Sequence, residues 1–154
     1  MTVPILTACA GFLLAVLWMD LIFDSQAGLG GPDPEESVLA SIGAYYHRAT
    51  TTSQPMGSLI AVVMGVLLVC LGIEAVRGGH PGWLIAASAV LAGGPILLAL
   101  LRTVPSAVRL GRRADSPAEQ SRLARSVYRD HIVCLAGMAA FLLLWLTVVL
   151  QSWY

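Results

Sequence analysis

A small set of acidic, imidazole and guanidinium side chains holds the chemistry that this sequence offers. Asp20 and Asp24 are four residues apart, so they share one face of a helix. His47 and His131 lie far apart in sequence, and each is next to an arginine or an aspartate. Carboxylates combined with two imidazoles suit a divalent transition metal, and an imidazole can also act as a general base. The candidate set is Asp20, Asp24, Tyr46, His47, Arg102, Arg129, Asp130 and His131.

Two kinds of site fit these residue types. In the first, the two aspartates and two histidines bind a divalent metal whose open positions permit redox or oxygen chemistry, or the two histidines hold a haem. In the second, which needs no metal, His47 or His131 is the catalytic base and Asp20 orients it. Arg102, Arg129 and Tyr46 then bind the anionic oxygen of a substrate or cofactor. No Glu-x-x-His or His-x-x-x-His spacing selects the metal.

Four apolar segments must position these residues. They cover about residues 3–23, 56–76, 81–101 and 132–150 of a chain that is 57% hydrophobic. Each is close to the roughly 20 residues that cross a hydrocarbon core of about 30 Å. The sequence therefore predicts one domain over residues 1–154, an all-α membrane protein built as a bundle of four transmembrane helices.

The arginines predict the orientation of this bundle. Eight of the nine arginines lie in the first and third loops, residues 24–55 and 102–131, and only Arg77 lies on the opposite side. Basic residues are retained in the cytoplasm, so we expect these two loops to be cytoplasmic and both termini to be outside. We expect a multi-pass protein of the cell inner membrane, with the lipid bilayer as its first partner. The net charge of zero argues against a nucleic-acid partner.

Both cytoplasmic loops contain a predicted helix start. In the first loop, Asp33 is the expected N-cap and Glu36 the returning capping-box acid of an amphipathic helix. In the third loop, Ser116 precedes Pro117 and begins a helix that continues to about Trp153. Small residues at four-residue spacing, such as Gly57, Ala61 and Gly65 of the second span, are expected to let the helices approach closely.

The four-span path returns all the candidate residues to the cytoplasmic end. Asp20 lies about one turn inside its apolar segment, where a carboxylate is costly without a partner. We therefore expect Asp20 to be buried against Arg102, Arg129 or a bound cation, and Asp24 to lie nearer the water. At the other end, Glu74 and Arg77 are expected to form a local ion pair, and His80 to be solvated.

The predicted function is the binding of a metal or a small lipophilic molecule at this polar site, with redox or oxygenase-like chemistry as one outcome. The alternative is a protein without catalytic activity, either an accessory subunit of a larger membrane complex or a small transporter that works as a homo-oligomer. The sequence leaves the identity of the ligand, and whether the protein is an enzyme, open.

The layout resembles the anthrone-oxygenase-like family of small four-span bacterial membrane proteins. The likeness rests on the segment Tyr45-Tyr46-His47-Arg48-Ala49-Thr50 before the second span, and on a helix that carries Arg125, Arg129 and His131 into the fourth. Arg129 precedes His131 here, the reverse of the order that the family favours. The resemblance implies a protein related to the cofactor-independent oxygenation of polycyclic aromatic compounds.

Overall fold

The computed structural model describes residues 2–52 and 54–151, and within them the chain is all-α, as predicted. Four helical stretches are long and apolar enough to cross a membrane: Thr2–Ala27, Pro55–Arg77, Gly82–Arg112 and Pro117–Gln151. The prediction of a four-helix membrane bundle is thus confirmed. The helices are α1 (Thr2–Asp24), α2 (Glu36–His47), α3 (Gln54–Arg77), α4 (Gly82–Ser88), α5 (Gly94–Leu98), α6 (Val104–Arg112) and α7 (Pro117–Gln151).

The third span is one helical run in which α4, α5 and α6 are joined by two π-helical segments, Ala89–Gly93 and Ala99–Thr103. Pro95 follows the first segment and Pro105 the second, and a proline cannot donate the backbone hydrogen bond of an α-helix. The wider π turns accommodate that loss. In the second segment the Thr103 hydroxyl donates to the Leu98 carbonyl at 3.4 Å.

Fourth-span residues pack closely against the third span around Pro95. The Cys134 thiol donates to the Pro95 carbonyl at 3.6 Å. A Cβ atom added to Gly137 would lie 2.7 Å from the Pro95 ring and 3.0 Å from the Leu91 carbonyl oxygen. Only glycine permits this approach, so Gly137 sets the separation of α7 from the third span.

The bundle core lies between α1, α3, the third span and α7, with α1 packed against both α3 and α7. Its fully buried side chains include Leu6, Leu67, Phe141 and Trp145. The indole of Trp145 donates to the Ser88 hydroxyl at 2.9 Å, so its buried polar atom is satisfied. The small residues Gly57, Ala61 and Gly65, in contrast, are exposed on α3 and form no part of this core.

Helix α2 lies beneath the bundle, against α6 and α7, and forms a second core there. The predicted amphipathic helix is confirmed, and it buries Leu39, Ile42 and Tyr46. The predicted start was wrong: the N-cap is Glu35, which makes no side-chain capping bond. Asp33 instead lies 3.5 Å from Arg125 of α7, because the loop before α2 runs along that helix.

Helix α7 begins as predicted, since the Ser116 hydroxyl accepts from the Glu119 backbone N–H at 3.4 Å. It continues without a break through Gln151, and Trp153 lies outside the described residues. One helix therefore carries polar residues from beneath the bundle into its centre.

The turn between the second and third spans closes the opposite end of the bundle. Gly78 adopts the left-handed conformation that the turn requires (φ 65°). The predicted Glu74–Arg77 ion pair is confirmed at 3.7 Å. The prediction for His80 was wrong: its Nε2 lies 3.3 Å from Glu74, and its ring packs edge-on against Trp145 at 5.2 Å. A buried carboxylate and a large aromatic ring hold it in place.

Candidate functional site

Five polar side chains meet where α1 ends, α2 ends and α7 enters the bundle. We name this group the inner cluster: Asp20, Asp24, Tyr45, Tyr46 and His131. Asp24, Tyr46 and His131 are 1%, 3% and 8% exposed, so the deeper half of the cluster is shielded from solvent and lipid. Buried polar groups at this depth are costly unless they bond one another.

Asp24 is the centre of the deeper half. Its Oδ2 lies 2.6 Å from Nδ1 of His131, and its Oδ1 accepts a hydrogen bond of 2.6 Å from the Tyr46 hydroxyl. The Tyr46 hydroxyl oxygen is also 3.5 Å from Nδ1 of His131. Both carboxyl oxygens of Asp24 are therefore in use, and the imidazole is fixed at its Nδ1 side.

Asp20 is the centre of the outer half. Its Oδ1 accepts a hydrogen bond of 2.5 Å from the Tyr45 hydroxyl, and its Oδ2 lies 3.8 Å from Nε2 of His131. The Asp20 side chain is 18% exposed, and Phe23 stacks on Tyr45 with a centroid distance of 4.1 Å. The cluster is thus accessible from its Asp20 side, next to a stacked aromatic pair.

The two tyrosines act as hydrogen-bond donors across the physiological pH range. Burial, followed by the Asp24 carboxyl, raises the pKa of Tyr46 well above its usual value. Burial, followed by the Asp20 carboxyl, raises the pKa of Tyr45 in the same way. Both hydroxyls keep their protons, so each stabilises the carboxyl that it contacts.

The two aspartates have the reverse of the burial that the sequence suggested. Asp24 is almost completely buried, whereas Asp20 is partly exposed. The expected arginine partners of Asp20 were also wrong, because its contacts are Tyr45 and His131 rather than Arg102 or Arg129. The reason is that α2 lies beneath the end of α1 and covers Asp24. The length of an apolar segment does not predict this packing.

His47 is not part of the inner cluster. It is exposed on α2, and its side chain makes no hydrogen bond or ion pair with another described residue. Adjacent residues of a helix point about 100° apart, so with both Tyr45 and Tyr46 facing the cluster, His47 is about 200° from Tyr45 and points away. Only its backbone is involved in packing: a Cβ on Gly111 would lie 2.8 Å from the His47 nitrogen.

The two predicted arginines also lie outside the cluster. Arg102 pairs with Asp130 at 3.3 Å and donates to Ser126 at 2.9 Å. Arg129 donates to the Leu29 carbonyl at 3.0 Å. Both line a separate cavity of about 340 Å³ on another side of α7. The Arg102–Asp130 pair is an interfacial ion pair, with the aspartate buried and the arginine largely exposed.

The described residues contain no group of three or more His, Cys, Asp or Glu side chains placed to bind a metal ion. Asp20, Asp24 and His131 do come together, but both oxygens of Asp24 are already bonded to Tyr46 and His131. A haem held by His47 and His131 does not fit either, because one is exposed and the other buried. Asp24 and Asp20 lie on either side of the His131 imidazole, an arrangement that suits proton transfer.

Comparison with known proteins gives no match: no family model, no curated protein and no solved structure matches the chain. The resemblance to the anthrone-oxygenase-like family therefore stays a prediction.

Tyr45 is the functional candidate that sequence reasoning missed. Its position on the amphipathic helix gives it no evident polar role, although its hydroxyl bonds Asp20. The available signal was the adjacency of two tyrosines on a helix end that returns to two aspartates at four-residue spacing. Tyr45 and Tyr46 contact Asp20 and Asp24 in the same order.

Proposed function

We propose that this integral membrane protein binds a small lipophilic molecule at the inner cluster and exchanges a proton with it through His131, without a metal. The observation that carries the proposal is the placement of the imidazole. Asp24 holds its Nδ1 at 2.6 Å in the buried half, and its Nε2 is directed toward partly exposed Asp20.

The chemistry follows from these two contacts. A carboxylate at Nδ1 fixes the ring and stabilises the positive charge that develops when Nε2 accepts a proton. The ligand keeps the electron pair and becomes an anion, while the proton stays on Nε2, 3.8 Å from Asp20. Asp24 is thus the orienting group and His131 the proton acceptor. Asp20 is the group through which the proton can leave.

The surroundings of Asp20 favour a flat, apolar ligand. Phe23 and Tyr45 stack with an interplanar angle of 11°, which presents an aromatic surface beside the carboxyl. Met19 and Ile22, on the same part of α1, are about half exposed on the side that meets lipid. A polycyclic aromatic compound with an acidic hydroxyl can approach from the bilayer and stack there. The anthrone-oxygenase-like resemblance implies the same class of compound.

The test uses a hydroxyanthraquinone dye, whose visible absorption shifts when its hydroxyl loses a proton. The dye is added to purified protein in detergent with a chelator present. We expect the wild-type protein to bind the dye and produce the absorption of its anion. His131→Gln should lose the shift, because Nε2 no longer accepts the proton, while its melting temperature shows whether the fold is retained.

His47→Gln is the matched control, since it changes a histidine at the same end of the bundle that lies outside the inner cluster. We expect it to shift the dye absorption as the wild-type protein does. A shift that disappears with chelator and returns with a divalent metal would overturn the metal-free proposal. An unchanged shift in folded His131→Gln would overturn the role of His131.

A further inference from the structure

A second site lies on the opposite side of α7 from His131. Four arginines line a cavity of about 340 Å³ between the third span and the first turns of α7: Arg102, Arg122, Arg125 and Arg129. Arg122 and His131 are nine residues apart, so their side chains point to opposite sides of the α-helix. The cavity is therefore separate from the inner cluster and does not depend on the function proposed for it.

The charge around this cavity is not balanced by its own lining. Asp33 is its only acidic lining residue, against the four arginines. Two more carboxyls pair with these arginines from outside the lining, Glu119 with Arg122 and Asp130 with Arg102. Within the described residues, Arg129 has no carboxyl partner and donates only to a backbone carbonyl.

The guanidinium of Arg125 lies beside the cavity. Its Nε atom is buried away from solvent and has no hydrogen-bond partner among the described residues. The other end of the same guanidinium is occupied, since Nη2 donates to the carbonyls of Gly31 and Pro32. Guanidinium groups bind phosphate oxygens with short, charge-assisted bonds. The cavity thus offers a phosphate positive charge and the guanidinium donors of the exposed arginines Arg102, Arg122 and Arg129.

An apolar groove begins one helical turn deeper along the same two helices. It has a volume of about 560 Å³ and is lined by Leu98, Pro95 and Gly94 of the third span and by Val133 and Gly137 of α7, among others. Leu98 is four residues from Arg102, and Val133 is four residues from Arg129, so about 6 Å separates the groove from the cavity. Val133 is 57% exposed, which leaves the groove open to the bilayer.

We propose that the arginine cavity binds the phosphate of an anionic phospholipid while one of its acyl chains occupies the adjoining groove. Charge complementarity selects the headgroup, and the apolar groove accepts the hydrocarbon chain. Basic pockets between transmembrane helices bind anionic headgroups in this way. The ligand is a lipid rather than free phosphate, because the cavity continues into a groove that an inorganic anion leaves empty.

The test measures lipid binding to the full chain in detergent micelles by native mass spectrometry, with phosphatidylglycerol and zwitterionic phosphatidylcholine as probes. We expect phosphatidylglycerol to bind more tightly than phosphatidylcholine. The double variant Arg122→Gln/Arg129→Gln should weaken phosphatidylglycerol binding by about 30-fold, because each arginine near a headgroup contributes about fivefold to the affinity. Arg125 is left unchanged because it makes two hydrogen bonds and an ion pair with the loop before α2, whereas Arg129 makes one hydrogen bond with it.

Arg112→Gln is the matched control, because Arg112 is exposed at the same end of the bundle but does not line the cavity. It should bind phosphatidylglycerol as the wild-type protein does. Ala136→Phe places a ring in the groove. It should weaken the binding of long-chain phosphatidylglycerol more than the binding of a short-chain form. Equal binding of the two lipids, no effect of the double arginine variant, or displacement by inorganic phosphate would each overturn the proposal.

Discussion

Replacing each aspartate of the first span by alanine should show which of them supports the fold. Asp24→Ala removes a side chain that is 1% exposed and bonded to both Tyr46 and His131. Asp20→Ala removes one that is 18% exposed and has one hydrogen bond of 2.5 Å, from Tyr45. The two changes delete the same atoms from the same helix, four residues apart. Their difference therefore reports burial and bonding.

The magnitudes follow from what each change leaves behind. Asp24→Ala strands a buried hydroxyl and a buried imidazole nitrogen, at about 1–3 kcal/mol for each unsatisfied group. A total loss of about 3–5 kcal/mol agrees with the cost of breaking a buried pair by removing one partner. Asp20→Ala strands one half-buried hydroxyl and should cost about 1–2 kcal/mol. We thus expect Asp24→Ala to be the more harmful by about 1–4 kcal/mol.

The assay is unfolding by a denaturing detergent in mixed micelles, followed through helix content or tryptophan fluorescence. Asp24→Asn is the informative companion, because its amide keeps the shape and can still accept the Tyr46 hydrogen bond. We expect it to recover more than half of the loss. Equal losses from the two alanine variants, or a larger loss from Asp20→Ala, would refute the assignment of Asp24 as the buried centre.

Four further substitutions have defined outcomes. Gly111→Ala should lose about 1–3 kcal/mol of unfolding free energy from overpacking, because its Cβ would lie 2.8 Å from the His47 backbone nitrogen. Gly11→Ala, with open space at its Cβ, should be neutral or stabilising in the same assay. The raised pKa of Tyr46 favours its protonated form in the folded state. The wild type should therefore lose stability relative to Tyr46→Phe above pH about 10, by up to about 1.4 kcal/mol per pH unit; parallel stability curves there would contradict this. His47→Ala should leave dye binding unchanged in both the wild-type and His131→Ala backgrounds, and a loss in the wild type that disappears in the His131→Ala background would indicate a shared site.

Much of the fold could be predicted because membrane insertion leaves a simple pattern in the sequence. Apolar segments of span length fix the four spans, and the Ser116-Pro117 start fixes α7. The start of α2 could not be fixed in the same way. Asp33 has the residue type of an N-cap, but its contact with Arg125 lies far away in the sequence. Tertiary contact decided the position of that helix end.

The candidate site could be predicted as a place more readily than as a set of contacts. The sequence correctly predicted that the four spans return the chain to one end and bring together Asp20, Asp24, Tyr46 and His131. The positions of the two aspartates along their apolar segment predicted that Asp20 is more buried than Asp24. The order is the reverse, because α2 shields Asp24. Residue type alone favoured His47 as a site residue. In the structure, α2 is rotated so that Tyr46 is buried in the cluster and His47 is exposed.

The most direct test of the proton-transfer site is a double-mutant cycle on Asp24 and His131, with the pH midpoint of the absorption shift of the bound hydroxyanthraquinone as the readout. Asp24→Asn, His131→Gln and the double variant are compared in folded protein with chelator present. If Asp24 acts only through the imidazole that it holds at 2.6 Å, the double variant should be no worse than His131→Gln, with a coupling energy of about 1–3 kcal/mol. Additive losses would show that the two residues act independently and would contradict the proposed site.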